Sequence, residues 1–364
     1  MRPSAENRGA GVRGVSVVIC CHNSALRLPK TLEHLRRQEV ATPWEVLLID
    51  NASTDGTADL ARKLWPSNSP APLRVIPEPQ PGLSHARQRG FVEARFEILS
   101  FVDDDNWLAP DWLRTAEAVM RDHPEVGACG GLSEGEFEVP PPPWLDRFAD
   151  QIVVGPQFER GGDVTLASRP LWGAGLTIRR SAWQALFQAG FRPRLSGRKG
   201  AALASGEDYE ICYALQLAGW RLWYEPTLRL RHLIPPARTK WEYLRRLNRG
   251  NGASSVGFDP YTFALRPERR LVRLFGRLWT WPAMKAAGRL VLVHGWDLVR
   301  SLWTEGEGDG GVLRAEYQIG RLTELVRRRS DYDRAVEEVS ASPWLRQEEA
   351  AHRALGEAGP QLAN

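Results

Sequence analysis

Two periodicities alternate along the first third of the chain. Unbroken apolar runs rich in β-branched residues at 15–21 (VSVVICC), 44–50 (WEVLLID), 73–78 (LRVIPE) and 97–105 (EILSFVDDD) read as strands buried on both faces. Between them, 28–38, 57–65, 84–95 and 111–122 carry the spacing of amphipathic helices. Such alternation predicts an α/β fold: a Rossmann-like, mostly parallel central sheet covered by helices on both faces. Sheets of this kind bind ligands beyond the carboxyl ends of their strands. Those ends carry His22 and Asn23, then Asp50 and Asn51, then Asp103, Asp104 and Asp105.

The pattern then loosens. VPPPPW (139–144) reads as a rigid polyproline segment, and 145–205 as loop-rich. Within it, GAGLTIRR (173–180) predicts a strand, and 181–190 a serine-capped helix ending at Gly190. The glycine-, serine- and alanine-rich 196–208 cannot build core and predicts a mobile loop. A helix over 208–219 and strand-like WRLWYEP and LRLRHL follow. Beyond Pro235 the pattern is helical and rich in arginine and tryptophan, to about 345. Residues 1–13 read as a disordered leader, and no internal repeat is visible.

Composition narrows the classes. With 364 residues, 43% of them hydrophobic, the chain can bury a large core without staples. Four cysteines with no CxxC pair argue against a disulfide framework and a structural zinc site. The net charge of +4 is modest and comes almost entirely from arginine. No apolar run approaches the ~20 residues of a membrane span. The expected location is therefore the cytoplasm, or a membrane surface facing it. The dinucleotide pattern GxGxxG is absent after the first strand, against an NAD(P) enzyme.

Certain residues carry candidate chemistry. Three adjacent carboxylates, Asp103–Asp105, repel one another unless a cation joins them; hard oxygen donors suit Mn²⁺ or Mg²⁺, and an acidic capping turn is the alternative. GEDYE (206–210) opens a helix, where acids either cap or supply a general base. His232 is a structural residue or a third metal ligand. Arg87 could clamp a diphosphate, and Arg198 and Lys199 could fold onto phosphates as a lid.

In order, VSVVICCHNSALRLPKTLEHL, EVLLIDNASTDGT, PGLSHARQRG, ILSFVDDDNWLAPDWL, GAGLTIRR, SGEDYEIC, GWRLWYEP and His232 resemble glycosyltransferase family 2, of the GT-A fold, over roughly 14–235. The resemblance implies a metal-dependent, inverting transfer from a nucleotide-diphosphate sugar (UDP, GDP or dTDP type) to a hydroxyl of a glycan or lipid-linked acceptor, as in surface-polysaccharide synthesis. It implies donor contacts at His22, Asn23, Asp50, Asn51, Arg87 and Asp103; Asp104, from the acidic run, and Arg198 and Lys199, from the 196–208 loop, are further candidate donor contacts. Asp105 and Asp103 would be the outer acids of the DXD motif, holding Mn²⁺ or Mg²⁺ with His232. Asp208 would be the catalytic base, with Glu207 positioning the acceptor. The QxxRW motif of processive synthases is missing.

Residues 236–364 extend beyond that resemblance as a C-terminal helical region. Within it, 266–303 is apolar and cationic with Trp279, Trp281, Trp296 and Trp303. It reads either as a helical pair packed on the core or as a peripheral contact with the inner membrane surface. Rival readings are a nucleotidyltransferase and a basic membrane- or nucleic-acid-binding adaptor. The intact acidic motifs disfavour the adaptor, so no nucleic-acid partner is expected.

Overall fold

A computed structural model describes residues 12–167, 169–195, 206–265, 278–301 and 306–345. Arg198, Lys199 and Trp303, together with the leader 1–11, lie outside them. The four expected strands form the parallel half of one sheet: β1 (Val15–Cys21), β2 (Trp44–Asp50), β3 (Leu73–Pro77) and β4 (Ile98–Val102), in the order β3-β2-β1-β4. The other half is mixed. Beyond β4 the order continues through β8 (Thr177–Arg179), β6 (Val126–Phe137), β9 (Arg221–Ile234) and β5 (Asn106–Leu108). β8 runs antiparallel to both β4 and β6, β6 is parallel to β9, and β5 and β7 (Gly162–Asp163) are antiparallel to β9.

Residue alternation on the strands explains the two cores. Val18, Leu47, Ile49 and Phe101 face one side, under α3 (Leu83–Glu93), α5 (Arg180–Gln188) and α6 (Glu207–Leu217). Val17, Ile19, Val46 and Leu48 face the other, under α1 (Leu28–Leu35), α2 (Thr57–Leu64) and α4 (Trp112–Asp122). Side chains alternate with period two, so a strand covered on both sides must be apolar throughout, as VSVVICC is.

Several boundaries differ from the expectations. Asp103–Asp105 do not continue β4; they form a turn in which the Asn106 N–H donates to the Asp103 carbonyl at 3.1 Å. Ser181 does not cap α5; its hydroxyl donates to Glu97 Oε1 at 2.5 Å, and the helix begins at Arg180. WRLWYEP and LRLRHL are one long strand, β9. Strand β6 lies in a stretch whose glycines hide it from any periodicity. A Cβ on Gly131 would come within 2.0 Å of the Leu228 carbonyl oxygen, so the strands approach too closely for a side chain.

The C-terminal region is helical: α7 (Trp241–Leu265), α8 (Thr280–Gly288), α9 (Gly295–Ser301), α10 (Gly310–Arg327) and α11 (Tyr332–Ser340), with a π-helical turn at Arg289–Val293. Helices α7 and α10 meet backbone to backbone. A Cβ on Gly252 would lie 1.9 Å from the Tyr317 carbonyl oxygen, and one on Gly320 at 1.9 Å from that of Arg249. Glu316, buried between them, receives Arg245 Nη2 at 2.8 Å and Arg249 Nε at 2.7 Å. Tyr261 of α7, Val339 of α11 and Trp344 belong to the same core as Leu47 and Phe101. No helix among the described residues is long and apolar enough to cross a membrane.

Candidate active site

The carboxyl end of β4, the N-terminus of α6 and the middle of α3 converge on one buried guanidinium. Arg87, on α3, places Nη1 3.2 Å from Glu207 Oε1, and its guanidinium lies 5.7 Å from the Phe101 ring centre. Burial opposes its charge, but Glu207, Asp103 and Asp208 outweigh that and hold it firmly protonated. Gly173 lets this cluster close: a Cβ there would come within 2.8 Å of Asp208 Oδ2 and 3.1 Å of Arg87 Nη2.

Two of the carboxylates around Arg87, Asp208 and Asp103, are hard to ionise. Burial, then repulsion from Glu207, pushes Asp208 up to about 6, with Arg87 pulling the other way. Burial, then the Asp105 carboxylate, raises Asp103 to about 6 as well. Glu207 and Asp208 occupy the first turn of α6, where backbone N–H groups favour anions. Two residues on, Glu210 does different work. Its carboxylate accepts the backbone N–H groups of Arg194 (2.8 Å) and Leu195 (2.9 Å) and the hydroxyl of Tyr261. Burial lifts its pKa to about 7. It therefore ties α6 both to the segment leading into 196–205 and to α7.

A second constellation surrounds Asp105. Register pairing of β5 with β9 sets Asn106 opposite His232. His232 Nε2 lies 3.9 Å from Asp105 Oδ2, while His232 Nδ1 lies 3.3 Å from the Val153 carbonyl. A carbonyl can only accept, so Nδ1 carries the proton and Nε2 presents its lone pair towards Asp105. Arg238 sits in between: Nη1 donates to His232 Nε2 at 2.9 Å and Nη2 lies 3.4 Å from Asp105 Oδ2. Burial raises Asp105, with Arg238 opposing. Val153, which orients His232, holds φ +62°, a left-handed conformation costly for a β-branched residue. The Ser133 hydroxyl also donates to its carbonyl, at 2.6 Å.

Among the described residues, no three His, Cys, Asp or Glu side chains gather into a set that could hold a metal ion, so Asp103, Asp105 and His232 do not form a closed triad. The donor chemistry of the Asp105–His232 pair nevertheless fits a hard or borderline divalent cation, which takes one or two protein ligands and fills its shell with phosphate oxygens. Next to the pair, buried Asn106 donates its amide to Asp105 Oδ1 at 3.2 Å, and its side-chain oxygen has no hydrogen-bond partner among the described residues.

The remaining expected donor contacts divide into two kinds. Asn51 is spent on the fold: its amide donates to the Glu78 and Gln80 carbonyls at 3.1 and 2.7 Å and its oxygen accepts from Gly82 N at 2.7 Å. Asp104 is held by Arg27 Nη2 at 2.7 Å, and its carbonyl accepts from Thr31. His22 Nδ1 lies 2.7 Å from the Asn51 carbonyl, and Asn23, at φ +52°, accepts Thr54 N–H at 2.8 Å. His22 and Asn23 remain exposed and Asp50 half-exposed at the sheet edge. In the sequence Arg238 stands out only as one cation of the basic stretch 237–255, which lies just past a double proline and could meet a phosphate-bearing acceptor; nothing there places it beside the acidic turn.

The sequence profile described as Glycosyl transferase family 2 matches residues 16–187, which contain β1 to β4, the acidic turn and Gly173. The putative glycosyltransferase EpsH of Bacillus subtilis is 26% identical over 122 residues, 34% of this chain and 35% of its own length. The glucosyl-dolichyl phosphate glucuronosyltransferase of Haloferax volcanii is 24% identical over 170 residues, 45% of this chain and 51% of its own. The matches thus span a third to a half of those relatives. In fold, the chain is similar to the mannosyltransferase PcManGT of Pyrobaculum calidifontis, solved with GDP-Man and Mn²⁺. The TM-score is 0.55, the identity 18%, and the match covers 89% of this chain and 88% of that one. The ordered motifs, the sheet they build and the profile match agree: over residues 16–187 the chain is similar to glycosyl transferase family 2.

Proposed function

We propose that the chain transfers a glycosyl group, with inversion, from a nucleotide-diphosphate sugar to an acceptor hydroxyl on a glycan or a lipid-linked saccharide. The observation that carries this reading is the convergence of Asp103, Glu207 and Asp208 on buried Arg87 at the carboxyl end of the sheet. Asp208 is the base: a carboxyl held near 6 is ionised at neutral pH yet basic enough to take a proton from a hydroxyl in flight. Glu207, paired with Arg87, orients that helix turn and the acceptor beside it. Arg87 balances the negative charge of the acids and of an incoming diphosphate.

The donor nucleoside fits the edge formed by His22, Asn23 and Asp50, and the diphosphate the stretch from Asp103 to Asp105. Asp105 and His232 would hold Mn²⁺ or Mg²⁺, with Asp103 on the metal or the donor ribose. A divalent cation there supplies charge neutralisation to the departing nucleoside diphosphate. Arg238, which bridges the same two side chains, must then turn away, and the diphosphate is the anion it would meet. Arg198 and Lys199 remain candidates for phosphate contacts. A lipid-linked acceptor accords with the name of the dolichyl-phosphate relative. The expected setting is the cytoplasmic side of the membrane.

A thermal-shift panel of UDP-, GDP- and dTDP-sugars, each with and without Mn²⁺, tests the reading, because a ligand that binds only the folded state raises Tm. One nucleotide class should stabilise the protein, and only with metal. Turnover with a suitable acceptor should release a nucleoside diphosphate; release of pyrophosphate would instead identify a nucleotidyltransferase.

A further inference from the structure

We infer that the segment from α8 through the π-helical turn to α9 is a docking surface for an anionic lipid bilayer. Helix α8 buries Pro282, Ala283 and Ala286 against the protein and turns Trp281, Met284 and Lys285 outward. The π-helical turn after it ends in three consecutive aliphatic residues, Val291, Leu292 and Val293, which are 70%, 85% and 64% exposed. Trp296, at the start of α9, is 75% exposed. Lone exposed apolar residues are ordinary, but six between Trp281 and Trp296, two of them indoles, mark an interaction surface.

The segment is mounted firmly. Buried His294 lies 3.5 Å from Asp297, and Asp297 packs so closely on the N-terminus of α10 that a Cβ at Gly311 would fall 2.3 Å from its Oδ2. Val291–Val293 therefore project because the residue following them is held inside. Trp279, by contrast, is half-buried and packs with Leu278 and Tyr332, so the tryptophans divide between packing and display.

Charge selects the partner. Between 266 and 303 the sequence has eight basic residues (Arg266, Arg269, Arg270, Arg273, Arg277, Lys285, Arg289, Arg300) against two acids (Glu268, Asp297). That is +6 in a chain whose total is +4, so everything else together carries −2. Lys285 and Arg289 are exposed within the apolar face itself. Aliphatic tips and indoles with the exposed cations Lys285 and Arg289 among them match a bilayer interface containing anionic headgroups. A nucleic acid would have no use for Val291–Val293.

The test is flotation of the full chain with phosphatidylcholine vesicles, with and without phosphatidylglycerol. The wild-type chain should float with the phosphatidylglycerol vesicles and far less with phosphatidylcholine alone. Leu292→Glu and Trp296→Ser should each weaken partitioning by about tenfold or more, with Tm unchanged, because both side chains are exposed in the free protein. Lys285→Glu with Arg289→Glu should remove most of the preference for anionic lipid, about fivefold for each charge lost. The inference fails if the wild-type chain ignores both vesicles, or if Leu292→Glu floats as well as wild type. It also fails if sedimentation shows a dimer that Leu292→Glu dissociates, which would assign the face to a second copy.

Discussion

Replacing Asp208 with asparagine should make the protein more stable and nearly inactive, and the size of the first effect follows from the site. Burial and the neighbouring Glu207 raise the Asp208 carboxyl from 3.8 to about 6. A group whose folded pKa lies above its unfolded one costs stability once ionised. The cost is absent below the unfolded value, grows between about pH 4 and pH 6, and is constant above. Two units at 1.36 kcal/mol each give about 3 kcal/mol, and discounting for the partial exposure of Asp208 leaves about 1–2 kcal/mol. Asp208→Asn should therefore raise Tm by roughly 2–5 °C at about pH 7.5, with the gain fading by about pH 4. Turnover should fall by about 10²–10⁴, the usual worth of a positioned base. Donor binding should survive. Differential scanning calorimetry across pH and a nucleoside-diphosphate release assay give the two readouts. A variant less stable than wild type at neutral pH would refute the electrostatic reasoning, and retained turnover, or donor affinity lost along with it, would refute the base assignment.

Three further outcomes are expected. Gly173→Ala should cut turnover by about tenfold or more, since its Cβ must displace Asp208 or Arg87, while circular dichroism stays unchanged. Arg238→Ala should raise Mn²⁺ affinity several-fold in the absence of nucleotide, read by electron paramagnetic resonance of free Mn²⁺, and lower affinity for the nucleoside diphosphate; unchanged metal binding would count against competition at Asp105 and His232. Gly252→Ala should destabilise by more than about 3 kcal/mol in urea titration, because the α7–α10 backbones must separate to admit a methyl group; near-neutral stability would mean the helices part easily.

What the sequence made legible was set by periodicity. Strands β1 to β4 are apolar on both faces and announce themselves, and the acids at their ends follow from where chains leave a parallel sheet. Strand β6 was invisible because Gly127, Gly130, Gly131 and Gly135 read as loop, whereas these positions are bare because a neighbour already fills the space. Asp103–Asp105 read as the end of a strand, but the chain leaves β4 in a turn there, and it is the turn that sets Asp103 near enough to Asp105 for their charges to repel. Asn51 looks like a ligand contact in one dimension, but hydrogen bonds to residues 27 to 31 positions distant engage its whole side-chain amide in the fold, whereas Asp104 has one oxygen held by Arg27. Arg238 could not be placed at the site without knowing that β9 returns beside the acidic turn.

The contribution of Tyr261, Val339 and Trp344 to the main core has a consequence for synthesis. The last strand of the sheet ends at Ile234, yet the Phe191 ring does not meet Trp344 until about 110 residues later. At ribosomal rates of about 5–20 residues per second, that leaves a nascent chain with Phe191 unroofed for roughly 6–20 s. Chaperone engagement during that interval, rather than the stability of the finished protein, should set how much active protein a cell obtains.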